Sequence, residues 1–183
     1  MRGWLPGVLI ALGAAAFLVW GSLAEPASPP RLEQRRSTML ASGLVASVTD
    51  GDTIRLADNR RLRLVQIDAP ERPEGECYAE RATQELDRLA PVGVQLSLRL
   101  DPSLDAKDEH GRWLVYAFNG KSNLNLQLVQ LGAAAPYFHE GRRGRYANRL
   151  LTAAQRARAT RRGLWAACPG TTLDPDRPVD SDT

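Results

Sequence analysis

The sequence predicts an α+β domain that is mainly β, with five short strands in a small barrel and three helices around it. Apolar and polar residues alternate in short stretches, which is typical of half-buried strands. Apolar residues three and four positions apart indicate the helices. The chain has 183 residues, 43% of them hydrophobic and 25% charged, which fits one globular domain and excludes a long multidomain enzyme.

The strand patterns are separated by turn signals. They cover residues 44–48, 53–56, 61–67, 94–100 and 113–118. Asp58 and Asn59 separate the second pattern from the third, and Asn119-Gly120, a strong hairpin signal, follows the fifth. The first three strands are therefore expected to be antiparallel.

The helical patterns have recognisable ends. They cover residues 79–89, 124–131 and 146–162. Pro91 stops the first helix. Ser122 or Asn123 caps the start of the second helix, and Gly132 ends it. Among small barrels, the five-stranded oligonucleotide-binding (OB) type suits strands this short, so it is the predicted architecture.

Both ends of the chain differ in composition from the domain between them. Residues 1–24 have the basic start, apolar run and small residues of a secretory signal peptide cut before Glu25; an uncleaved membrane anchor is the alternative. Residues 25–38 are predicted to be a linker, and residues 170–183 a disordered acidic tail. The fold is thus confined to residues 39–169, which are secreted or periplasmic, or anchored facing the outside.

The cysteines, histidines and net charge limit the chemistry. Two Cys and two His exclude a zinc finger or a multi-His metal cage. Because export leads to an oxidising compartment, Cys77 and Cys168 are predicted to form one disulfide; two free buried thiols are the alternative. The net charge of +3 is modest, so an argument about nucleic acid depends on where the charge lies.

Two acidic motifs stand at the ends of neighbouring predicted strands. One is Asp50-Gly51-Asp52-Thr53, and the other places Asp68 and Glu71 around a proline. Either motif alone is explained by a tight turn. Together, Asp52 and Asp68 offer hard oxygen ligands that suit Ca²⁺ or Mg²⁺ and not a thiolate or imidazole metal site.

Two arginines are candidates for the same site as this acidic pair. Arg63 lies in the strand that leads to Asp68, and Arg112 lies just before the fifth strand. Guanidinium groups there can bind a phosphate and neutralise charge that builds up on it; a solvated surface charge is the alternative for each. A regular strand would send Arg63 and Asp68 to opposite faces, so the shared site requires a bulge or bend between them.

Five motifs together resemble the staphylococcal nuclease (thermonuclease) family. They are VASVTDGDT (45–53), RLVQIDAPE (63–71), DEHGRWLVY (108–116), NLQLVQLG (125–132) and GLW (163–165). The resemblance covers about residues 39–169, with the motifs in the family's order. It implies an OB-fold barrel with three helices and a Ca²⁺-dependent phosphodiesterase that cuts DNA and RNA to leave 3′-phosphate ends.

The resemblance also implies roles for individual residues. The metal ligands match Asp52, Asp68 and, through its backbone carbonyl, Ala69. Glu71 matches the acid that orients or deprotonates the attacking water. Arg63 and Arg112 match the two phosphate-binding arginines. All parts of the family's catalytic set are present.

Substrate contacts are the part of the site that departs from the family. His110 stands where a Tyr is common, and Glu109 stands where a basic residue occurs. Tyr137 and Phe138 lie near the position of the aromatics that stack on the nucleotide base. His139 is expected to be a surface or ligand-contact residue. Substrate preference is therefore the property that the resemblance specifies least.

Three functions compete at this point. The first is an exported, calcium-dependent nuclease acting as a monomer. The second is an OB-fold module that binds nucleic acid without cutting it, and the third is an envelope protein that attaches to other polymers. Residues 142–162 contain eight arginines, which can attract a polyanion or form a solvated helix face. The complete catalytic set favours the nuclease.

Overall fold

The structure is a computed structural model that describes Met1, Gly3, residues 39–72 and residues 75–181. The predicted signal peptide or anchor and the predicted linker fall, apart from Met1 and Gly3, outside the described residues. Across the described residues, no helix combines the length and apolar character needed to span a bilayer.

Eight strands form the β structure of the described residues. They are β1 (Met39–Val48), β2 (Thr53–Leu56), β3 (Arg61–Leu64), β4 (Ile67–Asp68), β5 (Gln95–Arg99), β6 (Trp113–Asn119), β7 (Ser122–Asn123) and β8 (Ala135–Pro136). The order β3-β2-β1-β5-β6 is antiparallel throughout, and a parallel pairing between β3 and β6 closes it into a barrel. The predicted five-stranded barrel with three helices is confirmed.

The helices follow the apolar periodicity of the sequence. They are α1 (Ala79–Leu89), α2 (Leu124–Leu131), α3 (Ala147–Ala159) and the short α4 (Leu164–Ala167). Asn123 is the cap of α2, since its side chain accepts a hydrogen bond from Leu126 N at 3.0 Å. α3 ends three residues before the predicted Arg162, and Arg161 has a left-handed backbone with φ of 49°. α4 is too short to produce a periodic pattern.

The barrel interior and the inner faces of α1 and α2 share one core. Ile54, Leu62, Leu96 and Val115 from the strands are fully buried there, as is Leu128 from α2. Because apolar and polar residues alternate along the strands, the apolar side chains of each strand face the core, as the sequence predicts. This rigid barrel fixes the strand ends on which the acidic motifs stand.

The disulfide predicted between Cys77 and Cys168 is present. It joins the residue two positions before α1 to the residue that follows α4, with the two Cα atoms 6.0 Å apart. The crosslink therefore holds the chain that leaves α4 against the start of α1.

Residues 170–181 pack against the domain, which differs from the disordered tail that their acidic composition predicts. Val179 is 7% exposed and belongs to the same apolar cluster as Trp165 and Cys168. The Ser181 hydroxyl donates to the Cys77 carbonyl at 2.9 Å. Leu173 also packs against this cluster, and Thr171 is buried. These few contacts lie among acidic residues, so composition alone gives no sign of them.

Candidate active site

A sharp bend between β3 and β4 brings the predicted site residues together. Gln66 has a left-handed backbone with φ of 66°, which breaks the alternation of the strand. As a result, Arg63 Nη2 lies 2.6 Å from Asp68 Oδ1. The condition set by the sequence, a bend between Arg63 and Asp68, is met.

Two buried amides hold this bend in place. Gln66 accepts a hydrogen bond from Gly144 N at 2.6 Å and donates one to the Arg142 carbonyl at 2.9 Å. The Asn125 amide on α2 donates to the Val65 carbonyl at 2.9 Å. Sequence reasoning missed both residues, although a polar residue inside an otherwise apolar stretch was the available signal.

The Asp52 carboxylate is almost fully buried beside Arg63. Asp52 Oδ2 accepts from Ala69 N at 3.0 Å and lies 2.9 Å from Arg63 Nη1. Gly51 is needed next to it, because a Cβ there would come within 2.6 Å of the Ala69 side chain and 2.9 Å of Ala82 on α1. Close packing of α1 thus fixes the position of the Asp52 carboxylate.

The Asp68 carboxylate is held from two sides. Its Oδ1 faces Arg63, and its Oδ2 accepts a hydrogen bond from the backbone N–H of Val179 at 2.8 Å. The C-terminal segment therefore reaches the predicted metal site directly.

The charges at this site are not balanced within the protein. Burial raises the pKa of Asp52 well above its ordinary value; Arg63 opposes this, while Asp50 and Asp68 add to it. Burial alone would lower the pKa of Arg63, yet the surrounding carboxylates, Asp52 first, hold it above its ordinary value. One guanidinium thus faces several acids, and a divalent cation would relieve their repulsion.

The donor set fits a hard cation. Asp52 and Asp68 supply carboxylate oxygens, and Ala69, which follows Asp68 in the chain, is buried and donates its backbone N–H to Asp52. Within residues 39–72 and 75–181, no group of three or more His, Cys, Asp or Glu side chains could hold a metal ion. A cation here would take its remaining ligands from water and substrate oxygens, as Ca²⁺ and Mg²⁺ do.

Glu71 lies near this group. It follows Asp68, Ala69 and Pro70 in the chain and is half-buried, and its backbone N–H donates to Glu76 Oε2 at 2.8 Å. Its carboxylate also contributes to the raised pKa of Arg63. Glu71 is therefore close enough to Arg63 to act on its charge, and its role in the reaction stays a prediction.

Arg112 is positioned by an acid that sequence reasoning missed. Asp108 Oδ2 accepts from Arg112 Nε at 2.6 Å, and Asp108 Oδ1 accepts from the backbone N–H groups of Arg112 and His110. Although burial opposes the shift, these contacts lower the pKa of Asp108. Asp108 thus stays ionised and orients the guanidinium.

A cleft of about 430 Å³ lies beside Arg63 and Arg112, but the predicted metal ligands and Glu71 are not among its lining residues. Arg63, Arg112, His110 and Tyr137 line it. Tyr137 Oη lies 3.1 Å from Nδ1 of His139, which also lines the cleft.

Phe138 does not line the cleft, and its predicted stacking role is not supported by its position. The side chain is fully buried, and its ring lies 5.3 Å from the Arg143 guanidinium. Alternate side chains of this extended segment face opposite ways, so Tyr137 and His139 share the cleft and Phe138 points into the protein.

Comparisons with known proteins place the site in a family context. The family model described as staphylococcal nuclease homologue matches residues 61–167. An uncharacterized endonuclease of Escherichia coli O157:H7 is 35% identical over 130 residues, which cover 68% of this chain and 76% of that protein. A micrococcal nuclease of Shigella flexneri is 34% identical over 138 residues, which cover 68% of this chain and 73% of that protein.

A third relative is much longer than this chain. Endonuclease YhcR of Bacillus subtilis (strain 168) is 32% identical over 131 residues, which cover 63% of this chain and 10% of that protein. The chain therefore matches about a tenth of the length of that relative. The family match itself includes Arg63, Asp68 and Arg112.

Proposed function

The chain belongs to the staphylococcal nuclease homologue family, which makes it a nuclease hydrolase, and we propose that it is exported and uses Ca²⁺ to hydrolyse phosphodiester bonds of DNA and RNA. One observation carries the proposal: Asp52, Asp68 and Arg63 converge within 2.9 Å at the bend between β3 and β4. A cleft lined by basic and aromatic side chains adjoins them.

The metal is assigned to the two buried carboxylates. Asp52, Asp68 and the Ala69 carbonyl would hold it, since their charge is only partly balanced by Arg63. When bound there, Ca²⁺ supplies Lewis-acid polarisation of the phosphoryl oxygens. An all-oxygen donor set supports Ca²⁺ over softer metals.

The two arginines act on the phosphate. Arg112 is anchored through Nε, while Nη1 makes only a long contact of 3.5 Å to Thr53 and Nη2 has no hydrogen bond to any described residue. The terminal nitrogens of Arg112 are thus available to phosphate oxygens. Arg63, which lines the same cleft, contributes positive charge where negative charge develops during attack.

Glu71 completes the reaction as a proton acceptor. Its carboxylate takes a proton from water as the water oxygen bonds to phosphorus. The bond from phosphorus to the 5′ oxygen then breaks, that oxygen takes a proton from solvent water, and Glu71 returns the proton it accepted to solvent. The products are a 3′-phosphate and a 5′-hydroxyl, the ends that the resemblance implies.

Export is supported by two features. Residues 1–24 have the composition of a signal peptide or anchor. The Cys77–Cys168 disulfide is also of the kind that persists in oxidising compartments. The proposed location is therefore outside the cytoplasm, as a monomer that is free or held by an uncleaved anchor.

The test is hydrolysis of heat-denatured DNA by the purified protein, in millimolar Ca²⁺ and again with a calcium chelator. Calcium-dependent cleavage that leaves 3′-phosphate ends is the expected result. Tight binding of DNA without cleavage would contradict the proposal and identify a binding module, with Glu109 and His110 the first residues to substitute.

A further inference from the structure

We propose that the groove between α2 and α3 is a second nucleic-acid-binding surface, which holds the phosphate backbone of a long strand outside the catalytic cleft. The inference rests on the proposed function, because the polymer it binds is the proposed substrate. The groove has a volume of about 680 Å³, and none of its lining residues lines the cleft. Its polar lining includes Gln130, Asn148, Arg149, Thr152, Arg156 and Arg162.

The groove contains positive charge without negative charge. Three arginines line it and no carboxylate does. The sequence explains this, since residues 142–173 contain eight arginines and neither Asp nor Glu. α2 contributes no charged residue of either sign. Its opposite charge makes the phosphate backbone of a nucleic acid a complementary occupant.

The two central arginines of the groove are not used by the fold. Arg149 and Arg156 are exposed, and their side chains form no hydrogen bond or ion pair with any described residue. Among the described residues, the Arg149 guanidinium lies 5.7 Å from the Tyr146 ring. Both guanidinium groups are therefore available to a ligand.

The spacing of these arginines suits a strand of phosphates. Arg149 and Arg156 are seven residues apart on α3, which is two helical turns on one face and about 10.5 Å of rise. Every nucleotide of a strand carries one phosphate, so two arginines about 10.5 Å apart along α3 can contact different phosphates of the same strand. The amides of Gln130 and Asn148 add uncharged donors along the same groove.

A membrane surface fits this groove less well than a nucleic acid does. Helices that bind lipid surfaces pair their basic residues with exposed large apolar side chains. Among the described residues, the exposed large hydrophobics are Met1, Leu44 and Val92, and none of them lies on α2 or α3. The groove therefore lacks the apolar edge that insertion into lipid requires.

The proposal is tested with two double variants of equal charge. Arg149→Gln with Arg156→Gln alters the groove, whereas Arg158→Gln with Arg161→Gln removes the same charge from exposed arginines outside the groove lining. Binding of the full chain to single-stranded DNA of about 30 nucleotides, longer than the ~4–16 that one OB barrel covers, is measured against salt concentration without Ca²⁺.

The groove variant is expected to lose two phosphate contacts, which lowers the slope of log affinity against log salt by about 1.4. If the variant and the wild type bind equally at about 1 M salt, this is roughly 25-fold weaker binding at about 0.1 M. The control variant keeps the wild-type slope. In Ca²⁺, the groove variant also shows a raised KM for the long strand.

Two results would overturn the proposal. Equal losses in the two variants would show that only total charge matters, and a groove variant that loses binding to anionic vesicles but not to DNA would identify a membrane surface. Cleavage of a strand of about four nucleotides by the wild type is measured in parallel. If that cleavage is absent while the groove-specific loss remains, the proposed function fails and the second surface stands.

Discussion

The cleft and the groove both contain arginines, but they hold them in different ways. In the cleft, Arg63 faces Asp52 and Asp68, and Arg112 is anchored by Asp108. In the groove, Arg149 and Arg156 have no carboxylate partner among the described residues. Arginines that are held by acids can orient a single phosphate. Unpaired arginines supply charge that attracts a strand without fixing its position.

Loss of the proposed proton acceptor has the largest expected effect on the cleft. Glu71→Ser is expected to lower kcat by about 10²–10⁴-fold, because the water loses its base while the core is unchanged. The matched control is Asp87→Ser, which removes an exposed acid from α1 away from the cleft. Steady-state cleavage assays at saturating Ca²⁺ would show equal kcat in the two variants if the assignment of Glu71 is wrong.

The next largest difference between the cleft and the groove is expected in the stability of single-arginine variants. Arg63→Gln leaves the buried carboxylates of Asp52 and Asp68 without their counter-charge, so the free energy of unfolding is expected to fall by about 3–5 kcal/mol. Arg156→Gln is expected to change it by less than about 0.5 kcal/mol, because the side chain is exposed and unpaired. Both losses are measured by urea unfolding without Ca²⁺. Similar losses in the two variants would contradict the proposed difference between the arginines of the cleft and those of the groove.

A smaller effect on stability tests whether residues 170–181 pack against the catalytic region. Val179→Ala removes two buried methyl groups, which at about 0.8 kcal/mol each lowers the free energy of unfolding by about 1.5 kcal/mol. Val92→Ala is the control, since Val92 is 68% exposed and should change little. If thermal unfolding shows no difference between these variants, the segment is the disordered tail that its composition predicts.

The smallest expected effect concerns the acid that anchors Arg112. Because the pKa of Asp108 is lowered in the folded protein, its contribution to stability is present above its unfolded pKa of about 3.9 and is lost as the pH falls through the folded value. Asp108→Asn is therefore expected to be less stable than the wild type near neutral pH, with the difference shrinking in acid. A constant difference across this pH range would contradict the assigned ion pair.

Much of the fold follows from local patterns in the sequence. Alternation predicts the five barrel strands and apolar spacing predicts three helices, because both record which side chains face the core. The predicted cap at Asn123 is confirmed, since capping depends on residues only a few positions away. The four-residue α4 and the two-residue β8 were missed, because elements so short contain no periodic signal.

The site was harder to predict from the sequence than the fold. Residue types and motif order suggested Arg63, Asp68 and the other members of the catalytic set, but not what holds them. Gln66 and Asp108 act through contacts that depend on the folded backbone, as does the packing of Val179 across to Asp68. Phe138 is buried and does not line the cleft, because a shift of one residue along an extended segment reverses the face.

The most direct test of the catalytic cleft is hydrolysis of a strand of about four nucleotides, which is too short to depend on a second surface. Wild-type protein and an Asp52→Asn variant are compared in Ca²⁺ and in chelator, with circular dichroism to verify that both are folded. The account predicts 3′-phosphate products only from the wild type in Ca²⁺. Cleavage that persists in chelator, or that is undiminished in Asp52→Asn, would contradict it.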